Sequence, residues 1–249
     1  MAVSAELLQS ETHRLPRRIY RKPPIVEVVL DISVVSAKSV SVDHLDKLFR
    51  TLCELPDNED IKSARFTLEG KIGYTLRDAE RGFSVRAFVD RLGFARSGQY
   101  TRWEDFRDEA KKIWDVYIDA TSPSATQRAS LRYVNRLDLP KHPSVDLASY
   151  LNVLPKLAEG FAPMLSGFTF EVKMPQPDMP NTVVVLREAA LTNADPSSAS
   201  IILDIEVVRG FDISHQADKD LWKALEDMHD RANQTFESAI TDRVRAMMI

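Results

Sequence analysis

The run Leu131-Arg132-Tyr133-Val134-Asn135-Arg136-Leu137 carries side chains that could hold a ligand on either face of a strand. At a period of two, Arg132 and Arg136 share one face, and Leu131, Tyr133, Leu137 and Leu139 take the other. Asn135 falls on the apolar face beside Tyr133, where a buried amide must find hydrogen-bond partners. Two readings follow. The one the pattern favours is a hydrogen-bonded network that ties the molecule together at its central strand. The other is a polar cluster in a ligand cavity, with Arg132 or Arg136 as an anion contact.

Other reactive residue types lack the spacing that chemistry needs. The five histidines, His13, His44, His142, His215 and His229, are isolated, and His229 has no second histidine at i+4. His229 therefore reads as a packed or helix-surface residue, and no metal or cofactor is expected. The one cysteine, Cys53, ends an apolar helical run and reads as a buried structural thiol. Gly82-Phe83-Ser84 lacks the second glycine of a nucleophile elbow. The eight glycines form no phosphate-binding loop. The pairs Glu104-Asp105 and Glu226-Asp227 read as first-turn acids that favour the helix dipole. No catalytic residue emerges.

The chain has 249 residues, 44% apolar and 28% charged, enough for a core without disulfide or metal staples. A lone cysteine fits a reducing cytoplasm. No apolar run reaches membrane-spanning length, and Met1 to Leu8, interrupted by Glu6, forms no signal-peptide core. A net charge of −4 gives no overall basic excess for a polyanion. Basic residues do crowd one place, at Arg14, Arg17, Arg18, Arg21 and Lys22. They form a solvated arm or, alternatively, a nucleic-acid contact, with Ile19 and Tyr20 able to pin the arm to the body.

The elements that position these residues form an internal repeat. Glu104-Asp105-Phe106-Arg107-Asp108-Glu109-Ala110, then Trp114-Asp115 and Ile118, is matched by Glu226-Asp227-Met228-His229-Asp230-Arg231-Ala232, then Phe236-Glu237 and Ile240. Each copy closes a unit of strand, helix, antiparallel meander and helix. Strands are expected at 25–35, 65–69, 72–77, 83–90, 94–97, 128–139, 167–174, 182–188 and 200–209, with turns at Gly70, Gly82 and Gly93. Helices are expected from Ser41 through Leu52, over 102–120, from Ser144-Val145-Asp146, and over 218–247. The expected domains are a basic arm at 1–22, a first repeat at 23–122 and a second at 127–249, sharing one sheet. The fold class is α+β, a helix-backed antiparallel sheet like that of TATA-binding protein. The alternative is a single helix-grip sheet around a long C-terminal helix.

Period-two reading also assigns the sheet's faces. Arg65, Thr67, Glu69, Thr75, Arg77 and Arg86 are expected on the open face of the first half. Glu171, Lys173, Glu188, Asp204 and Glu206 are expected on that of the second, with Phe168, Phe170, Val172, Val183 and Val185 inside. An open face that is basic at one end and acidic at the other suits a protein partner or a zwitterion better than a phosphate backbone.

Pro23-Pro24-Ile25-Val26-Glu27-Val28-Val29, Leu131-Arg132-Tyr133-Val134-Asn135-Arg136, and the closing helix with His229, Phe236 and Ile240 resemble a sporadically distributed bacterial family of about this length and of unknown function. The resemblance implies a bacterial, cytoplasmic, patchily inherited protein and lends no catalytic residues. The leading functional expectation is a non-catalytic protein-interaction component, of antitoxin, immunity or defence-accessory type, contacting its partner through Arg132, Tyr133, Asn135, Arg136, Arg65 and Arg77. Nucleic-acid binding through the open sheet and arm is one alternative. A small-molecule sensor or enzyme with a pocket near Tyr133, Asn135 and Arg136 is the other. An uncapped sheet edge also allows a homodimer.

Overall fold

A computed structural model of the chain describes residues 18–36, 45, 61–68, 71–79, 81–98, 100, 102–140, 146–155, 158, 167–191, 198–212 and 220–249. Among the described residues, nine antiparallel strands form one sheet: β1 (Ile25–Val35), β2 (Ile61–Leu68), β3 (Lys71–Asp78), β4 (Phe83–Phe88), β5 (Arg91–Ser97), β6 (Ala125–Pro140), β7 (Thr169–Pro175), β8 (Thr182–Leu191) and β9 (Ser198–Gly210). Their order across the sheet is β2-β3-β4-β5-β1-β6-β9-β8-β7. Helix α1 (Trp103–Thr121) packs on β5, and α2 (Leu221–Ala239) packs on β6 and β9. A short α3 (Asp242–Met247) follows. The fold is α+β, as expected. Among the described residues no helix is long and apolar enough to cross a membrane.

The centre of the sheet follows directly from sequence alternation. Val28, Leu30, Ile32 and Val34 are buried on β1 and face the helices. In register, Val28 lies opposite Tyr133 and Leu30 opposite Leu131. Pro24 ends the pairing but accepts the Arg136 N–H at 2.9 Å. Trp114 and Tyr117 of α1 are fully buried, and the Tyr117 hydroxyl donates to the Phe88 carbonyl. At Gly82, φ is +66°, and a Cβ would lie 2.3 Å from the Ser97 carbonyl oxygen, so only glycine fits that turn. Gly93 marks no turn: it sits within β5, and the β4–β5 turn is Val89-Asp90.

Three other expectations change. The closing helix is two helices, because Ile240 is extended and bridges Leu151. Asn152 Nδ2 donates to the Ser238 and Ile240 carbonyls, and its backbone N–H donates to Ala239. A tertiary contact thus satisfies carbonyls at the helix end, as a C-cap glycine motif does elsewhere. Glu226 and Asp227 lie in the second turn of α2, not the first. Glu226 accepts from Arg107 of α1 at 2.7 Å.

The third change is on β8, whose faces are shifted by one residue. Val184, Leu186 and Glu188 lie opposite Val207, Ile205 and Leu203 on the helix-facing side, and Val183 and Val185 face the open side. Glu188 is fully buried between Phe170 and Leu203, and among the described residues neither carboxylate oxygen has a hydrogen-bond partner. Burial alone raises its pKa from 4.5 to about 7. The helix expected at Ser41–Leu52 lies outside the described residues except Leu45, which is helical and fully buried. Of the helix expected at Ser144, only a 3-10 turn at Leu147–Ser149 is described, capped by Asp146.

Candidate functional site

A cavity of ≈ 560 Å³ opens where α2 crosses β6 and β9, walled also by the start of α1 and by residues 18–25. β6 supplies Tyr133 and Asn135, and α2 supplies His229, Asn233 and Glu237 from one helical line. The strand period of β6 turns its odd-numbered residues toward α2, which brings the two sets together.

His229 is the hub of the floor. It is buried, its Nδ1 lies 2.7 Å from the Tyr133 hydroxyl, and its Nε2 lies 3.0 Å from Asn233 Nδ2. Its ring stacks on Trp103 of α1, with centroids 4.6 Å apart and planes at 7°. With the Asn233 amide donating to Nε2, the imidazole proton sits on Nδ1 and points at Tyr133. Tyr100 meets Tyr133 edge-on at 5.9 Å.

Asn135 is 3% exposed, and its Nδ2 donates to the Leu203 carbonyl at 3.0 Å. The Tyr133 carbonyl, at 3.5 Å, lies on the same side. Two carbonyls fix the amide orientation, because only the NH₂ end can face them. The Asn135 Oδ1 is left as an acceptor with no hydrogen bond among the described residues.

The rim joins the two ends of the chain. Glu237 is buried and accepts from the Tyr20 hydroxyl and from Arg245 Nε at 2.8 Å. Burial, then the neighbouring Glu237 carboxylate, pushes the Tyr20 phenol well above its ordinary pKa. Lys22 N–H donates to the Met248 carbonyl at 3.2 Å. Tyr20 therefore pins the segment to the body, whereas Ile19 is 98% exposed.

The structure separates the residues the sequence grouped. Tyr133 and Asn135 line the cavity. Arg132 and Arg136 point to the opposite, open face, so neither is an anion contact there. Arg132 holds Asp204 with two bonds, at 2.8 and 2.7 Å, and Arg136 holds Asp138 at 2.9 Å. Arg77 is exposed on β3, and β4, β5 and β1 lie between it and β6. Arg65 sits on β2, at the far edge of the sheet. Of the arm, Arg18 lines the cavity, Arg21 and Lys22 are exposed, and Arg14 and Arg17 lie outside the described residues.

On the open face the charges pair with each other. Arg187 reaches Glu171 at 2.7 Å and Glu206 at 2.9 Å. Burial would raise the Glu206 pKa, but bonds from Ser130 and Arg187 bring it below the ordinary value. The residues that sequence reasoning missed are Trp103, Asn233 and Glu237, together with a site role for His229. A signal existed for the last three: His229, Asn233 and Glu237 recur at i, i+4 and i+8. Among the described residues no three His, Cys, Asp or Glu side chains converge as metal ligands would. Comparison with known proteins places the chain in no family: no family model matches it, and no curated protein does.

Proposed function

We propose that this protein binds a small organic ligand in the cavity above Tyr133 and Asn135, and that the ligand is a flat ring carrying N–H donors. The observation that carries this is Asn135: an amide acceptor, its orientation fixed by Leu203, with no donor among the described residues, on a cavity walled by aromatic rings. A ligand N–H would pair with this acceptor in place of solvent. Trp103, Tyr100 and Phe236 offer surfaces against which a flat molecule packs. Both ring nitrogens of His229 are engaged within the protein, so its role is to position Tyr133 rather than to exchange protons with a ligand. The reading is of a binding protein, not an enzyme.

We favour this reading over the two others. The protein-partner expectation drew on the open-face charges, the missing catalytic motifs and the family resemblance, and the nucleic-acid one on the open sheet and the basic arm. What weighs against the open face in both is that Arg132, Arg136 and Arg187 are committed there to Asp204, Asp138, Glu171 and Glu206. We further propose that the sheet consists of two diverged halves meeting at β1 and β6, a TATA-binding-protein-like arrangement. Outward from that pair the order is β5-β4-β3-β2 on one side and β9-β8-β7 on the other, which supports it. The bacterial family resemblance, a cytoplasmic location and self-association through a sheet edge belong to the same proposal.

The test is a thermal-shift screen of nucleobases, aminopyridines and aromatic amines against the wild type, Asn135→Leu and Ala232→Leu. Ala232 is buried on the cavity wall, so leucine there fills the space. A ligand at about 100 times its Kd should raise Tm by roughly 5–10 °C. That shift should vanish in both variants. No shift across the panel, or shifts that survive Ala232→Leu, would overturn the reading.

A further inference from the structure

We propose that two copies of this chain pair edge to edge through β7, antiparallel and centred on Val172. The interface is separate from the cavity and does not depend on its occupant.

β7 is the last strand of the sheet, and its outer edge has no partner among the described residues. It is exposed at Thr169, Glu171, Val172, Lys173 and Pro175. Its backbone polarity is fixed by its one neighbour. Ala190 N–H donates to the Phe168 carbonyl, and Gln176 N–H donates to Thr182. Even-numbered residues therefore bond β8, and by alternation the N–H and C=O groups of Thr169, Glu171 and Lys173 point away from the sheet. Pro175 also falls on the outward set, where its missing N–H costs no bond to β8.

An unpaired edge of this kind accepts another strand, and charged side chains are the usual protection. Here the charges are self-complementary: within one chain Glu171 pairs with Lys173 at 3.1 Å and with Arg187 at 2.7 Å, and across a twofold axis Glu171 and Lys173 exchange partners while Arg187 stays in place. Outward groups can bond only to outward groups, so a twofold axis must pass through a residue and not between two. Centring on Glu171 sets glutamate against glutamate, and centring on Lys173 sets lysine against lysine. Centring on Val172 sets Glu171 opposite Lys173 of the partner subunit, and the reverse. Opposite charges facing across strands stabilise the pair, and like charges destabilise it.

The same register makes Glu171 and Lys173 the hydrogen-bonded pairs and brings the two Val172 side chains together at the closer, non-bonded position. Val172 is 38% exposed, one of the few large apolar side chains left open to solvent. Phe170 faces Met174 of the partner subunit beside it, both half-buried in the single chain. Thr169 N–H reaches the Pro175 carbonyl of the partner subunit, so proline removes a donor only at the rim. The contact is isologous, closes on itself and leaves no further β7 edge.

The experiment is sedimentation equilibrium of the full chain over a concentration series. The proteins are the wild type, Glu171→Lys, Lys173→Glu, and an equimolar mixture of the two variants. All substituted side chains are exposed, and thermal melts confirm folding of each variant. The wild type should show a reversible monomer–dimer equilibrium. Each variant alone should dimerise at least tenfold more weakly, because like charges then face each other. The mixture should recover wild-type affinity, since one chain presents two lysines to the other's two glutamates. A strictly monomeric wild type at several hundred micromolar would overturn the proposal. So would a dimer whose affinity ignores both substitutions, or a mixture no tighter than the single variants.

Discussion

Replacing Glu188 by glutamine should stabilise the protein by on the order of 3 kcal/mol at pH 8 and change it little at pH 4. The carboxyl is fully buried, has no partner for either oxygen among the described residues, and has its pKa raised from 4.5 to about 7. A raised carboxyl pKa means that the folded chain binds the proton more tightly than the unfolded chain does. Between pH 4.5 and about 7 the native state therefore holds more protons, and stability falls as pH rises. Below 4.5 both states are protonated and the loss disappears; above about 7 it is complete. Glutamine stays neutral throughout, so its advantage should grow across that window and then level off. Glu188→Met also removes the unpaired oxygens and should be more stable than wild type at every pH, by about 1 kcal/mol or more at the acid end. Thermal melts from pH 4 to 8 read both. Each kcal/mol moves Tm by about 2–4 °C in a chain of this size. A wild-type Tm that does not fall from pH 5 to 8 relative to Glu188→Gln would refute the assignment.

Glu188 was misplaced in the sequence for a physical reason. Strands β1 and β6 alternate cleanly, so Val28, Leu30 and Ile32, and Leu131, Tyr133 and Leu137, reveal their inward face. β8 opens with Val183-Val184-Val185-Leu186, a continuous apolar run with no period of two. The face then had to be guessed from polarity, and a charged residue is normally placed outward. A one-residue shift moves every side chain across the sheet. Pairing with β9 decides it: Leu186 lies opposite Ile205, which puts Glu188 inside and Arg187 on the open face among Glu171, Asp204 and Glu206. The break after Ala239 was hidden similarly. Nothing in Ser238-Ala239-Ile240-Thr241 stops a helix, and the stop is imposed by Asn152, far away in sequence.

The cavity was half legible. Asn135 on an apolar strand face announced either a network or a pocket, and the structure contains parts of both: hydrogen bonds to Leu203, and a cavity above. What the sequence could not supply was the opposite wall. His229 has no second histidine at helical spacing to mark it, and its partners Tyr133 and Trp103 lie on other elements. Arg132 and Arg136 looked promising because arginines are frequent anion contacts. Strand parity alone already placed them on the face away from Tyr133, where Asp204 and Asp138 neutralise them.

The proposed repeat makes the last prediction sharp, because it pairs two positions with very unequal expected effects. On α1 the line Arg107, Lys111 and Asp115 lies away from the core, with Lys111 and Asp115 exposed. On α2 the corresponding line is His229, Asn233 and Glu237, and it lines the cavity. Diverged copies of one helix would thus differ most where a site was built, while Phe106 and Met228, and Ala110 and Ala232, stay buried in both. His229→Ala removes a buried ring stacked on Trp103 and the bond between that ring and the Tyr133 hydroxyl. The expected loss is about 3 kcal/mol, or roughly 6–12 °C in Tm, together with any ligand-induced shift. Arg107→Ala breaks partly exposed ion pairs to Glu226 and Asp108 and should cost less than about 1 kcal/mol and leave ligand shifts intact. Equal losses at the two positions would mean that the two helices carry the same structural load and that the α2 line has no special part in the cavity.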